Sequence, residues 1–171
     1  MKKTITILLA LIMLLSLAAC GGTATGSTVS TTASAGETNS GTMEVTDLKG
    51  RTVTLPANIE RIVVTFNLEE YLAVTGEAGV DKLVGWSHKY WKGRRDDAYN
   101  AYTKALPALE SIPDVGYNGD ISIEAIISLQ PDVVLASATG ANYNALEPAF
   151  DLLHQAGIEI VFFNFHKQTI E

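Results

Sequence analysis

The stretch Ser122-Ile-Glu-Ala-Ile-Ile-Ser-Leu-Gln-Pro-Asp-Val-Val-Leu-Ala136 predicts a short helix followed at once by a buried strand. Ser122 can cap the helix, because its hydroxyl oxygen can accept a hydrogen bond from a backbone N–H of the first turn. Three isoleucines then share one helix face, and Pro131 limits the helix. Residues Val133 to Ala136 are continuously apolar, which is typical of a strand that is covered on both faces of a parallel sheet.

Three further apolar runs have the same character, namely Ile62 to Phe66, Leu83 to Trp86 and Ile160 to Phe165. Upstream of them, Glu44 to Leu55 alternates apolar and polar residues around Gly50, a pattern that predicts a β-hairpin. Because strands and helices alternate along the chain, we predict an α/β fold: a mainly parallel sheet with flanking helices, preceded by an edge hairpin.

Two more helices are predicted between these strands. Residues Leu68 to Val80 fit one amphipathic helix. Residues Ala145 to Ala156 fit another, for which Asn144 and Glu147 resemble a capping box. Gly157 suits the left-handed position that follows a helix end.

The amino terminus has the layout of a secretion signal. Lys2 and Lys3 precede an apolar stretch, Ile5 to Leu17, which is shorter than the roughly 20 residues of a membrane span. The stretch ends in Leu-Ala-Ala-Cys20, which looks like a bacterial lipobox, so residues 1–19 are predicted to be a lipoprotein signal peptide and Cys20 to be acylated. The alternative is an ordinary signal with an incidental cysteine.

Residues 20–42 are predicted to be the acylated cysteine and a flexible tether. Nineteen of the 22 residues from Gly21 to Thr42 are Gly, Ser, Thr or Ala, a composition that has almost nothing to bury. The predicted location is therefore extracytoplasmic, with the folded part held near the membrane by a lipid anchor.

Composition excludes some classes of function. The 171-residue chain carries a net charge of −7, whereas a nucleic-acid-binding domain would present a basic surface. The sequence contains no nucleophile elbow, phosphate loop or metalloprotease helix, so it indicates a protein that is not an enzyme.

The predicted sheet suggests where a ligand would lie. In open α/β sheets, ligands bind beyond the carboxyl ends of the strands, and the segment from Trp86 to Arg95 leaves one such end with two indoles, a phenol and four cationic side chains. Aromatic faces can cover a flat organic ligand, and cationic groups attract carboxylate or catecholate oxygens. The alternative is a loop that two tryptophans anchor in the core, with a solvated basic end.

Several sequence blocks follow one another between residues 43 and 171. The blocks are Val45 to Pro56 with Arg61 to Val64, Val80 to Gly85, Ile112 to Gly116, and Ile123 to Leu135. In content and order, these blocks resemble the cobalamin and iron-siderophore substrate-binding proteins of ABC importers.

The resemblance implies two Rossmann-like lobes joined by a long helix, with the ligand in a shallow cleft between them. Residues 43–171 would form the amino-terminal lobe, and the chain would end before the second lobe, either as a fragment or as a truncated gene product. We expect such a lobe to be monomeric and to bind ligand weakly or not at all by itself.

The resemblance also implies site residues. A glutamate on each lobe docks on the permease, and Glu124 occupies that position, although it could merely stabilise the first turn of its helix through the helix dipole. The implied ligand-binding residues are Phe66, Asn67, Trp86, Tyr90, Trp91, Arg94, Arg95, Tyr117, Ser137 and Thr139.

We expect the ligand to be an anionic iron(III)-siderophore complex. Some relatives carry an aromatic residue where this chain has Ser137, and this departure, together with Lys92, Arg94 and Arg95, favours an iron complex over a flat corrinoid. The iron would arrive already chelated, so no resident cofactor or metal is expected. The partners would be an ABC permease and its ATPase.

Three alternatives stay open. One is a corrinoid or haem receptor of the same architecture, and another is a surface lipoprotein that binds a protein or glycan. The third is a zinc or manganese site made from His88 and His166, which both follow predicted strands. His154 lies on a predicted helix, where a structural or solvated role is expected.

Overall fold

The structure, a computed structural model, describes residues 41–163. The predictions for the signal peptide, for Cys20, for nearly all of the tether and for His166 lie outside this range. Among the described residues, no helix combines the length and the hydropathy that crossing a membrane requires.

Residues 41–163 contain six strands and six α-helices. The strands are β1 Thr42–Thr46, β2 Thr52–Pro56, β3 Ile62–Val64, β4 Leu83–Trp86, β5 Val133–Ser137 and β6 Glu159–Phe163. The helices are α1 Leu68–Thr75, α2 His88–Arg94, α3 Asp96–Ala105, α4 Ile123–Leu129, α5 Gly140–Leu146 and α6 Phe150–Gln155. Short 3₁₀ segments are Glu77–Lys82, Pro107–Glu110, Asn118–Asp120 and Glu147–Ala149.

Strands β3 to β6 form one parallel sheet in the order β4-β3-β5-β6, and β1 pairs with β2 in an antiparallel hairpin. The predicted α/β fold with an edge hairpin is therefore confirmed. Neighbouring residues of a strand belong to different hydrophobic clusters, Val63 to one and Val64 to the other. Because successive strand side chains point to opposite faces, both faces of the sheet are covered, as the continuous apolar runs predicted.

The hairpin turn is attached to the edge strand β6 by a partly buried ion pair, in which the Asp47 carboxylate is buried and the Arg51 side chain is 32% exposed. The Arg51 guanidinium donates to the Asp47 carboxylate at 2.6 Å and to the Ile160 carbonyl at 2.7 Å. Burial favours a raised pKa for Asp47, but hydrogen bonds from the Arg51 side chain and from the backbone N–H groups of Arg51 and Lys49 outweigh it, so this pKa is lowered.

The helix around Ser122 is confirmed. The Ser122 hydroxyl accepts a hydrogen bond from the backbone N–H of Ala125 at 3.2 Å, and α4 ends at Leu129, two residues before Pro131. Ile126 is fully buried on the face that contacts the sheet. Gly157 has a φ of +76°, which confirms the left-handed position predicted after the last helix.

Two predicted helix boundaries are wrong. The helix from Leu68 ends at Thr75, because Gly76 adopts a φ of +65° and the chain continues as a 3₁₀ segment to Lys82. The helix predicted from Ala145 begins instead at Gly140 and is interrupted by the 3₁₀ segment Glu147–Ala149, where Pro148 cannot donate a backbone hydrogen bond. Asn144 lies within α5, so the predicted capping box does not form.

Candidate functional site

The exits of β3 and β4 are held together by a buried serine. Ser87 follows β4, and its hydroxyl lies within hydrogen-bonding reach of the backbone carbonyls of Thr65 and Gly116. The segment after Pro113 also runs beside β4, since the Trp86 N–H donates to the Pro113 carbonyl at 3.1 Å. The carboxyl end of β3 and the segment around Gly116 therefore meet at one edge of the sheet.

The loop after Gly116 makes a tight turn. Gly116 has a φ of +78°, and a Cβ atom at this position would overlap the Asp120 carbonyl, so the turn requires glycine here. Asn118 has a φ of 50°, which asparagine tolerates better than most residues. Tyr117 lies between these two left-handed residues in an extended conformation.

Three aromatic rings form a continuous face at this edge. The Tyr90 and Tyr117 rings stack with their centroids 3.8 Å apart, and Phe66 lies 5.2 Å from Tyr117 and 6.0 Å from Tyr90. Each residue comes from a different segment: Phe66 follows β3, Tyr90 lies on α2, and Tyr117 lies in the loop after Gly116. All three side chains are half-buried and keep part of their surface accessible.

An open groove of about 770 Å³ lies against the two tyrosines. Volumes of this size are typical of small-molecule sites. The groove is lined by Lys89, Tyr90, Gly93, Arg94, Asp114, Gly116, Tyr117, Asn118, Gly119 and Asp120.

Two charged residues of the groove, Asp114 and Arg94, differ in whether the protein itself supplies them with a partner. Asp114 accepts a hydrogen bond from the Lys89 N–H at 3.0 Å, and its carboxylate lies 3.5 Å from the Lys89 ammonium and 3.9 Å from the His88 ring nitrogen. Arg94 is exposed and has no ion-pair partner within residues 41–163. An anion that enters the groove can therefore meet a guanidinium that no carboxylate already holds.

The phenol of Tyr117 stays protonated over a wide pH range. Burial and the neighbouring Tyr90 hydroxyl raise the pKa of Tyr117 above 10.0, although the Asn118 amide and Arg94 act in the opposite direction. At neutral pH the phenol is therefore a neutral hydrogen-bonding group beside a cation.

The two tryptophans of the predicted aromatic rim are not at the rim. Trp86 and Trp91 are each 1% exposed. The Trp86 indole N–H donates to the Leu109 carbonyl at 3.0 Å, and that of Trp91 to the Phe66 carbonyl at 3.4 Å. The expectation that these rings present open faces to a ligand is wrong, because they anchor the base of α2 in the core.

Arg95 is also engaged within the protein. Its guanidinium makes a two-pronged hydrogen bond to the Glu69 carboxylate at 2.7 and 2.8 Å and lies 4.6 Å from the Trp91 ring. This hydrogen bond to Glu69 raises the pKa of Arg95 further. Of the two adjacent arginines, Arg94 alone lines the groove.

Three other predicted ligand residues lie away from the groove lining. Asn67 and Ser137 are 2% and 1% exposed, respectively. The exposed residue Thr139 directly precedes α5, and its hydroxyl accepts a hydrogen bond from that of Ser137 at 3.2 Å. The structure thus brings together Phe66, Tyr90, Arg94 and Tyr117 from the predicted set.

Comparison with known proteins gives the family. The sequence profile of the periplasmic binding proteins matches residues 67–170, more than half of the chain. The chain belongs to the periplasmic binding protein family. Family membership confirms the resemblance seen in the sequence, and no curated protein matches the chain.

Solved periplasmic binding proteins share the fold. The TroA-like protein FepB from Veillonella parvula is 25% identical with a TM-score of 0.61 and covers 74% of this chain. The molybdate-binding protein MolA of a Haemophilus influenzae ABC transporter, solved with molybdate bound, is 26% identical with a TM-score of 0.56 over 71%. A periplasmic solute binding protein from Veillonella parvula is 21% identical with a TM-score of 0.50 over 72%. The chain spans 38%, 34% and 36% of these proteins, respectively.

Glu124, the residue predicted to dock on a permease, is exposed to solvent. It is exposed in the first turn of α4, and it is four residues beyond Asp120 of the groove lining. No ion pair holds its carboxylate within residues 41–163.

Sequence reasoning missed part of the groove. Lys89, Asp114, Asn118 and Asp120 line it but were not among the predicted ligand residues. The Asn118-Gly119 pair is a turn signal, and it stands directly after Tyr117. This signal could have located the turn but not the ring that stacks against it.

The described residues give the metal hypothesis no support. Between residues 41 and 163, no three His, Cys, Asp or Glu side chains lie close enough together to hold a metal ion. His154 is exposed and pairs with Glu159 at 2.6 Å. His88 is near Asp114 alone among carboxylates of this range.

Proposed function

We propose that this chain is the amino-terminal lobe of a solute-binding lipoprotein that captures an anionic iron(III)-siderophore complex and delivers it to an ABC permease and its ATPase. The observation that carries the proposal is the stacked Tyr90–Tyr117 pair beside Arg94 in a groove at the carboxyl ends of parallel strands. Membership of the periplasmic binding protein family implies an extracytoplasmic location and supports this reading.

The geometry suits a large chelate with organic faces. A siderophore encloses its iron in catecholate, hydroxamate or carboxylate groups, so the protein meets flat rings and oxygen atoms rather than the metal. The three-ring face can pack against such rings, while Arg94 can donate several hydrogen bonds to the peripheral oxygens. The groove then requires no protein ligand for the iron.

Delivery to the permease is assigned to Glu124. Its carboxylate is exposed in the first helical turn, where the helix dipole favours a negative charge. A single exposed ion pair contributes only about 0–1 kcal/mol, so docking on an arginine or lysine of the permease would need further contacts.

The lipid anchor is assigned to Cys20. Substitution Cys20→Ala should abolish the incorporation of labelled palmitate. Unchanged labelling would remove the anchor from the proposal.

The binding proposal can be tested by paramagnetic line broadening, which reports contacts even when affinity is low. A ferric tris-catecholate should broaden the NMR resonances of Phe66, Tyr90, Arg94 and Tyr117, and the gallium(III) chelate of the same ligand should shift them without broadening. Arg94→Ala should weaken binding about tenfold, the effect of losing one charge-assisted hydrogen bond. Lys92→Ala is the matched control, because Lys92 is an exposed cation on the same helix outside the groove lining.

The test contradicts the proposal if ferric catecholates and ferric hydroxamates leave the groove resonances unchanged. Broadening by haemin or cobalamin alone would favour the alternative receptors of the same architecture. Binding of a peptide or glycan at this face would favour a surface lipoprotein.

A small oxyanion is the second candidate ligand. The observation that favours it is the molybdate-bound MolA, which is 26% identical over 71% of this chain. An oxyanion would use Arg94 and would leave the aromatic face bare. Sodium molybdate that displaces the gallium chelate, and whose binding is insensitive to Tyr90→Ala, would support this candidate.

A further inference from the structure

A buried asparagine connects the exit of β5 to the groove. Asn142 lies on α5 and is fully buried, and its side-chain amide donates to the Asn118 side-chain oxygen at 3.0 Å. Helix α5 packs against the turn Asn118–Asp120, so this hydrogen bond crosses between two chain segments that are 24 residues apart in sequence.

Asn118 links this hydrogen bond to the groove. It has the left-handed φ of 50°, follows Tyr117 directly and lines the groove. Its side-chain oxygen accepts the hydrogen bond from Asn142, so the position of Asn118 is tied to helix α5.

Tyr117 depends on its loop for its place in the aromatic face. It lies between Gly116 and Asn118, both of which have positive φ values. A change of φ at Asn118 would rotate the chain next to Tyr117 and move its ring away from Tyr90, 3.8 Å distant. We propose that Asn142 is a positioning residue: through its hydrogen bond to Asn118 it holds the Tyr117 ring in the aromatic face of the groove.

The burial of Asn142 supports a specific role. Its side-chain oxygen is buried and has no hydrogen-bond partner within the part of the chain that the structure describes. A buried acceptor without a partner costs stability, and an apolar side chain at the same place would avoid that cost. The amide N–H of Asn142 is thus the feature that an apolar residue could not supply.

The positioning role can be tested without any ligand. In the intact chain, NOEs between the ring protons of Tyr90 and Tyr117 should be present and should weaken severalfold in Asn142→Leu, which keeps the number of side-chain heavy atoms. NOEs between Trp86 and Tyr99, whose rings stack in the core, should stay unchanged and show that the fold is intact. Asn144→Leu is the matched control, since Asn144 is exposed on the same helix.

A second pair of variants keeps the test informative if Asn142→Leu does not fold. Asn118→Gly preserves the left-handed backbone but removes the side-chain contact, so it should weaken the same NOEs. Asn118→Asp should preserve them, because a carboxylate also accepts from Asn142 and aspartate tolerates this conformation. The double variant of Asn142→Leu and Asn118→Gly should weaken the Tyr90–Tyr117 NOEs no more than either single substitution does, because both substitutions remove the same contact.

The consequence for ligand binding rests on the proposed function. If the ferric tris-catecholate binds in the groove, Asn142→Leu should weaken its binding about tenfold, whereas Asn144→Leu, outside the groove lining, should not. Tyr90–Tyr117 NOEs that persist in both Asn142→Leu and Asn118→Gly would overturn the positioning role. Failure of the wild-type chain to bind any ferric chelate would overturn the proposed function while leaving the NOE result to decide this inference.

Discussion

Two regions of the molecule combine an arginine with aromatic rings, and they differ in what the arginine already contacts. At the edge of the sheet, Arg51 lies 4.8 Å from the Phe150 ring and 4.9 Å from the Phe162 ring, and it is held by the Asp47 carboxylate and the Ile160 carbonyl. In the groove, Arg94 stands beside two stacked tyrosines with no carboxylate paired to it among the described residues.

Composition alone does not separate a structural arginine from a binding arginine. What separates them is whether the protein already satisfies the guanidinium. Arg95 follows Arg94 directly, yet it belongs with Arg51, because Glu69 and the Trp91 ring occupy it. Satisfied arginines stabilise the fold, whereas an exposed one can exchange its water for the oxygens of a ligand.

The largest expected effect on stability comes from removing the Trp91 ring, against which the Arg95 guanidinium lies. Trp91→Ala should lower the free energy of unfolding by about 3–5 kcal/mol, because a fully buried indole is replaced by a cavity. Tyr90→Ala, the neighbouring half-buried ring on the groove side of α2, should cost less than about 2 kcal/mol. Urea unfolding of both variants measures the difference, and equal losses would contradict the division of α2 into a core side and a groove side.

A smaller effect on stability is expected from removing the ion pair between Arg51 and Asp47. Asp47→Asn should cost about 2–3 kcal/mol at neutral pH, since the charge-assisted hydrogen bonds of a buried carboxylate are lost. The pKa of Asp47 is lowered below 3.8 in the folded protein, so its contribution to stability is fully present above that pH and is lost as the pH falls through the lowered value. Unfolding curves should therefore show the wild type and Asp47→Asn converging in acid. If the difference in the free energy of unfolding between the wild type and Asp47→Asn were the same at every pH, ionised Asp47 would not be the source of this stability.

The smallest effect on stability is expected for Arg94, the exposed arginine of the groove. The Arg94→Ala variant of the binding test should change the free energy of unfolding by no more than about 0.5 kcal/mol, as expected for an exposed residue outside the core. A loss as large as that of Asp47→Asn would place Arg94 with the structural arginines.

The sequence predicted the scaffold more completely than the site. Continuous apolar runs located β3 to β6, and Ser122 and Gly157 marked helix ends, because strand burial, hydroxyl caps and left-handed glycines depend on a few neighbouring residues. The sequence was misread where local signals competed: Gly76 divides one predicted helix, and Pro148 divides another. The sequence predicted neither α2 nor α3, and it predicted a loop for the aromatic and cationic residues from Trp86 to Arg95, where α2 lies.

By itself, the sequence determined the parallel α/β lobe, its hairpin and its family, because periodicity, caps and motif order are properties of consecutive residues. Only the tertiary structure decided which aromatic rings face the groove and which arginine is available to a ligand. Trp91 and Tyr90 are neighbours on one helix, yet only Trp91 is buried in the core. Arg94 and Arg95 are neighbours at its end, yet only Arg95 is held by a carboxylate among the described residues. That division depends on partners such as Glu69, Tyr117 and Asn142, which lie far away in the sequence and meet only when the sheet brings the strand exits together.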